Sequence, residues 1–206
     1  MASSAFCGIP PGVTPENPPK FRRDVLPLHI EPIQKDALAL ACADFERAYP
    51  TPYLLYTRSR LWDRSLLLLP ADTLMGTTQV VRYELYEGGM SFLHAVKKTQ
   101  TDAGHPGVIL GRGRGQDMVV PVPSISSAHL SFMPPQAPGA PWTVSDLDSR
   151  NGTWLNEDQL PANDPRPIRD GEYLRLGGNL IAWYFGNARL WELLRNPGEL
   201  RKYTEV

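Results

Sequence analysis

The chain has 206 residues, 42% hydrophobic and 21% charged, which fits one well-filled core or one core with an appended segment. A net charge of −1 argues against broad electrostatic binding to nucleic acid or to an anionic membrane, while leaving room for a local basic pocket. The 21 prolines, against a usual share of roughly 5%, favour loops over long helices. Cys7 and Cys42 make only one possible pair and no metal-type spacing, so a reducing compartment is expected. Met1-Ala2-Ser3-Ser4 lacks the basic-then-apolar layout of a signal peptide, and apolar runs such as 66–70 are far too short to span a bilayer. A cytoplasmic protein without membrane insertion is expected.

In chain order, residues 1–31 carry Pro10, Pro11, Pro15, Pro18, Pro19 and Pro27 with little apolar periodicity, which reads as a flexible arm. Arg22 and Arg23 within it read as part of a solvated tail. Residues 32–79 form an N-terminal extension. Its first part, 32–49, is helical: Pro32 suits the first turn, and Leu38, Cys42, Phe45 and Tyr49 make one apolar stripe that packs on its own domain. Pro50 and Pro52 stop that helix. Strand-like pieces follow at 53–57 and 66–69, with Arg58, Arg60 and Arg64 between them on a solvated edge.

Residues 80–186 are a succession of β-like pieces at 80–86, 91–97, 108–110, 118–120, 129–132, 142–145, 153–155, 173–176 and 180–185. Turns are supplied by Gly88-Gly89, residues 103–107, Pro134-Pro135, Pro138-Gly139, Asp170-Gly171 and Gly177-Gly178. Many short strands with regular turn signals point to a β-sandwich or barrel. Trp142, Val144 and Asp146 alternate with Thr143, Ser145 and Leu147, so one face of that strand should be buried. In 187–206, Leu190, Trp191 and Leu194 follow Asn187 as a plausible N-cap and give a short helix ending at Asn196-Pro197-Gly198, then a tail. The expected class is mainly β with helical additions at both ends.

Several chemistries fail on spacing. Gly111, Gly113 and Gly115 alternate, whereas a dinucleotide fingerprint needs its third glycine where Gln116 stands, and no Gly-Lys-Ser/Thr P-loop is present. Asp146-Leu147-Asp148 with Glu157 faintly resembles a calcium loop, but Arg150 occupies a ligand position. His29, His94, His105 and His129 form no zinc pair, and no serine sits in a nucleophile elbow. Neither a metal nor another cofactor is called for, and nothing argues for an enzyme.

Residues 111–156 remain, with three polar clusters separated by runs of strand length. Arg112 follows a strand end, Ser126 and Ser127 supply hydroxyls and amides, and Asn151 carries an amide that can bond a peptide main chain. Gly152 allows a left-handed turn and Thr153 can bond back to it. A phosphate dianion needs several donors, and charge-assisted bonds to arginine are the strong ones, at roughly 1.5–3 kcal/mol each. Each cluster alone is consistent with ordinary turn residues; the ordered set is much less so.

Gly111-Arg112, Asp117, Ser126-x-x-His129 and Asn151-Gly152-Thr153 with Asn156 resemble the signature of a forkhead-associated (FHA) domain. The run from Pro167 through Asp170-Gly171 to Leu176-Gly177 resembles the strand-turn-strand of that family's second half. The resemblance implies an eleven-stranded β-sandwich over 80–186 whose end loops bind phosphothreonine in an extended peptide. By position it implies phosphopeptide binding by Arg112, Ser126, Ser127, Arg150 and Asn151. Gly113, Arg114 and Ser124 would contact flanking residues, and Gly111, Asp117, His129, Gly152, Thr153 and Asn156 would shape the loops. Ser127 departs from the arginine or asparagine frequent there, and Glu157 replaces the usual glycine after Asn156. The implied function is a non-catalytic adaptor in Ser/Thr kinase signalling whose partner is a phosphothreonine-containing protein, a kinase or its substrate. The alternative is a phospho-independent scaffold within a larger assembly. Composition and resemblance together fit a bacterial cytoplasmic protein.

Overall fold

The computed structural model describes residues 27–56, 91–100, 104–178 and 180–204. The arm before 27 and the expected strands at 66–69 and 80–86, with their arginines and the Gly88-Gly89 turn, lie outside the described residues.

Two layers are built from twelve described strands. In the first, β1 (Leu28–His29), β3 (Phe92–Ala95), β2 (Tyr53–Tyr56), β12 (Leu180–Phe185), β11 (Tyr173–Leu176), β8 (Thr153–Leu155) and β9 (Asp158–Gln159) lie side by side in that order. In the second, the order is β10 (Arg166–Ile168), β7 (Trp142–Asp146), β6 (Leu130–Met133), β4 (Val108–Gly111) and β5 (Met118–Val119). All strand pairings are antiparallel except β4 with β5, whose parallel register sets Leu110 beside Met118. The expected sandwich is present. Leu54, Leu110, Leu130, Phe132, Val144, Leu174 and Ala182 fill the space between its layers. Each buried leucine or phenylalanine there contributes about 1.5–3 kcal/mol.

The outer face of the first sheet is buried too, and this explains the wholly apolar Tyr53-Leu54-Leu55-Tyr56. Leu54 and Tyr56 point into the sandwich, while Tyr53 and Leu55 point outward to a second core with Leu93 and Phe185. Helices supply the cover: α1 (Ile30–Ala39), α2 (Cys42–Ala48) and α3 (Asn187–Arg195) bring Ile33, Ala37, Phe45, Leu190, Leu193 and Leu194. The residues from 53 to 56 are therefore one interior strand of the sandwich, placed between β3 and β12.

Details at both ends of the chain differ from the expectation. The single helix over 32–49 is two helices, because Leu40 and Ala41 are extended. The buried stripe of α1 is Ile30, Ile33 and Ala37, and Leu38 is 58% exposed. Tertiary bonds favour the break: Arg195 donates to the carbonyls of Ala37 at 2.9 Å and Leu38 at 3.2 Å, and Trp191 Nε1 donates to Leu40 O at 3.1 Å. These are the last carbonyls of α1, which an intact helix would have kept for itself. At the C-terminus Asn187 lies inside α3, with Gly186 at the cap, and Asn196-Pro197-Gly198 both ends α3 and begins a further helix, α4 (Pro197–Thr204). Proline suits a first helical position, and Asn196 Oδ1 accepts the Glu199 amide at 3.2 Å as its cap. No helix among the described residues is long and apolar enough to cross a membrane.

Candidate functional site

The strand directions put the end of β4, the start of β6, the end of β7 and the start of β8 at one end of the sandwich. Their connections converge on the short segment 124–127. Gly111 closes β4 where only glycine fits: a Cβ there would lie 2.2 Å from Ser127 O and 2.8 Å from its carbonyl carbon. That close approach lets Arg112 N donate to Ser126 O at 2.8 Å and Gly113 N to Ser127 O at 3.0 Å. Arg112 Nε also donates to Ile125 O at 3.1 Å, which fixes the plane of its guanidinium.

Ser126 is the hub. Besides accepting the Arg112 amide at its carbonyl, it donates its own amide to His129 Nδ1 at 3.1 Å and accepts the Arg150 amide at Oγ, 3.0 Å. Its hydroxyl proton is thus left for another acceptor. Asn151 Nδ2 donates to Ser124 O at 2.8 Å, so the 147–152 loop is tied to the same segment by a second bond. Arg112, Arg114, Ser127, Arg150 and Asn151 are exposed, while Gly113, Ser124 and Ser126 are half-buried.

Beneath them the supporting groups are buried. His129 is fully buried, donates its amide to Leu110 O and accepts the Leu147 amide, each at 2.9 Å. Because Nδ1 accepts from Ser126, the ring is neutral with its proton on Nε2. Burial lowers the His129 pKa, against smaller raising effects from Asp146 and the Gly152 backbone. Asp146 organises the 147–152 loop by accepting the Ser149 amide at 2.8 Å, the Ser149 hydroxyl at 2.7 Å and the Thr153 hydroxyl. Gly152, at φ 76°, turns the chain between Asn151 and β8 in a conformation that glycine adopts without strain.

Asp117 anchors the other flank. Burial alone would raise its pKa, but amide bonds from Ile109, Gln100 and Thr99 and the Lys98 ammonium outweigh that and hold it low. The amides lie at 2.9, 2.7 and 2.8 Å and Lys98 Nζ at 3.0 Å, so residues 98–100 are strapped beside β4. Asn156 stands apart from this cluster, at the far end of β8. There it exchanges bonds with Tyr173, donating its amide at 2.8 Å and accepting the Tyr173 amide at Oδ1, 3.1 Å.

A fourth connection also reaches the site. Gly177, in the β11–β12 turn, donates to Gly152 O at 3.1 Å, and a Cβ there would lie 2.6 Å from Ser124 O. In sequence Gly177-Gly178 reads only as a break; nothing local says that it abuts Gly152 and Ser124. The whole arrangement presents arginine, hydroxyl, amide and backbone donors at one rim, which suits an anion carried on an extended chain. No group of three or more His, Cys, Asp or Glu that could hold a metal occurs among the described residues.

The FHA domain family model matches residues 108–177, the span from β4 to the β11–β12 turn, so the FHA resemblance holds there. Structural matches include the MEK1 FHA domain in complex with a HOP1 phosphothreonine peptide (24% identity, 46% of this chain and 88% of that one, TM-score 0.37). They also include the FHA domain of an Arabidopsis thaliana protein (28% identity, 40% and 70% coverage, TM-score 0.35). A third is the N-terminal FHA domain of S. cerevisiae Rad53p with a phosphothreonine peptide (16% identity, 48% and 88% coverage, TM-score 0.38). No curated protein sequence matches the chain.

Proposed function

We propose that this chain is a non-catalytic phosphothreonine-peptide binding module, an adaptor in Ser/Thr kinase signalling whose FHA domain joins the 80–186 span to the interior strand Tyr53–Tyr56. The observation that carries the reading is the convergence on Ser126 of the Arg112 amide, the Arg150 amide and the His129 ring. It brings the backbones of two arginines from different loops to a hydroxyl whose proton is free for a ligand. The phosphate takes the Arg112 Nη groups, the Ser126 hydroxyl and the Ser127 amide or hydroxyl. Arg150 supplies the positive charge that Ser127 lacks. Asn151, held through Nδ2, keeps Oδ1 for a peptide N–H. Gly113, Arg114 and Ser124 line the approach to residues beside the phosphothreonine. The family match to FHA, and the phosphothreonine peptides named with two of the similar structures, support this reading. The partner is a phosphothreonine-containing protein, a kinase or its substrate, in a cytoplasmic and bacterial setting.

The test is a phosphothreonine peptide array screened with the full chain, each peptide paired with its unphosphorylated form. Binding restricted to the phosphorylated forms, and lost in Arg112→Ala, is expected. Losing one charge-assisted pair at roughly 1.5–3 kcal/mol corresponds to an affinity drop on the order of ten- to a hundredfold. Equal binding of both peptide forms would overturn the reading in favour of a phospho-independent scaffold.

A further inference from the structure

Trp154 on β8 and Arg175 on β11 are register partners, and both point away from the sandwich interior, which Thr153, Leu174 and Leu176 face. The Arg175 guanidinium lies over the Trp154 ring, 3.9 Å from its centroid. The far edge of that ring meets the binding loop itself. A Cβ on Gly152 would fall 3.0 Å from Trp154 Cη2, 3.2 Å from Cζ3 and 3.0 Å from Gln159 Nε2, so the indole and the Gln159 amide fill the floor beneath the 151–152 turn. Arg175 Nη1 also reaches Gly178 O at 3.5 Å, in the turn whose Gly177 amide bonds Gly152 O at 3.1 Å. Arg175 thus touches both sides of the same junction: the ring supporting Gly152, and the turn bonded to Gly152.

From this geometry we infer that Trp154 and Arg175 are a positioning pair for Asn151: they hold its turn at the height where Asn151 can engage a peptide backbone. The inference rests on the phosphopeptide reading for its ligand, and it adds to that site a support reaching in from the outer face of the first sheet. The stack presses the ring against Gly152, Gly152 fixes the backbone next to Asn151, and Asn151 Nδ2 lands on Ser124 O at 2.8 Å. Neither residue is among those that the FHA resemblance assigns to the loops or to the phosphopeptide. Both side chains are half-buried and lie outside the core between the sheets.

The test uses the full chain carrying Arg175→Met, Arg175→Lys or Trp154→Phe. Three readouts are the Asn151 side-chain amide resonances in the free protein, the affinity for a phosphothreonine peptide selected from the array, and the thermal midpoint. In Arg175→Met the cation–π attraction to Trp154 is gone, so the Asn151 amide protons should shift toward solvent-exposed values. Affinity should fall roughly three- to tenfold in the same variant. The thermal midpoint should barely move, and Arg175→Lys should recover part of both signals. Unchanged Asn151 resonances in Arg175→Met would overturn the inference. So would a loss of affinity that merely tracks a falling thermal midpoint in all three variants. If the wild-type chain binds no phosphothreonine peptide, the functional reading fails by itself, and the Asn151 resonances still decide whether the pair positions that side chain.

Discussion

Gly111→Ala is the sharpest perturbation of the loop assembly. The new methyl would stand 2.2 Å from Ser127 O, where an ordinary C···O approach needs about 3.3 Å or more, so the 124–127 segment must retreat by roughly 1 Å. Backbone atoms of Ser127 and Ala128 form the obstacle, and no flexible side chain can swing aside. A retreat of that size carries the bonds from Arg112 N to Ser126 O, now 2.8 Å, and from Gly113 N to Ser127 O, now 3.0 Å, past useful length. Two net bonds at about 1 kcal/mol each, added to an overpacking cost of about 1–3 kcal/mol, give a destabilisation of roughly 3–5 kcal/mol. For a protein of this size that is a fall in thermal midpoint of roughly 6–20 °C. Calorimetry or urea unfolding measures the loss, and a phosphothreonine peptide titrated below the new midpoint should show no binding. A variant that loses under about 1 kcal/mol, or that keeps wild-type affinity, would refute the close-approach reasoning.

Two further predictions concern pH. His129 is buried neutral with a pKa held below its ordinary 6.5, so the unfolded chain binds a proton that the folded one refuses. Stability should be fully present above about pH 6.5 and decline as pH falls below it; in His129→Gln that part of the stability-versus-pH curve should flatten. Asp117 has the usual carboxylate sign: its pKa lies below the ordinary 3.8, so its contribution is present above that value and lost as pH falls through the folded-state pKa. Asp117→Asn turns one acceptor oxygen into a donor facing amide donors, and should cost roughly 3–6 kcal/mol at neutral pH for about two charge-assisted bonds. Its acid limb should also lose the steep section below pH 4, readable by circular dichroism.

Much of the second half of the fold is legible residue by residue. The strands at 153–155, 173–176 and 180–185 have the expected bounds, because short apolar runs fenced by Asn-Gly, Asp-Gly and Gly-Gly carry their own start and stop signals. Arg112, Ser126, Asn151 and their turn glycines could be found from local chemistry, since left-handed or tight backbone and polar turn side chains are written into residue type. The two-residue strands β1 and β9 could not: Leu28-His29 is too short for a period, and Asp158-Gln159 has poor strand propensity and pairs only through the Asn156 turn. Leu38 misled the helix reading because periodicity locates a face without saying which neighbour it meets.

The sequence alone determined the class of fold over its β-rich part and the loop residues Arg112, Ser126 and Asn151 as candidates for one site. Both rest on signals confined to a few neighbouring residues, and such signals survive without knowledge of the rest of the chain. Only the tertiary structure decided that Tyr53–Tyr56 is an inner strand buried on both faces, and that Arg195 and Trp191 take the carbonyls at the end of α1. It also decided that Gly177 and the Trp154–Arg175 pair stand against Gly152, and that Asp117 straps residues 98–100 in place. These pairings join residues far apart in the chain. Their energy comes from packing and desolvation, and no residue's type or local spacing encodes which distant surface it will meet.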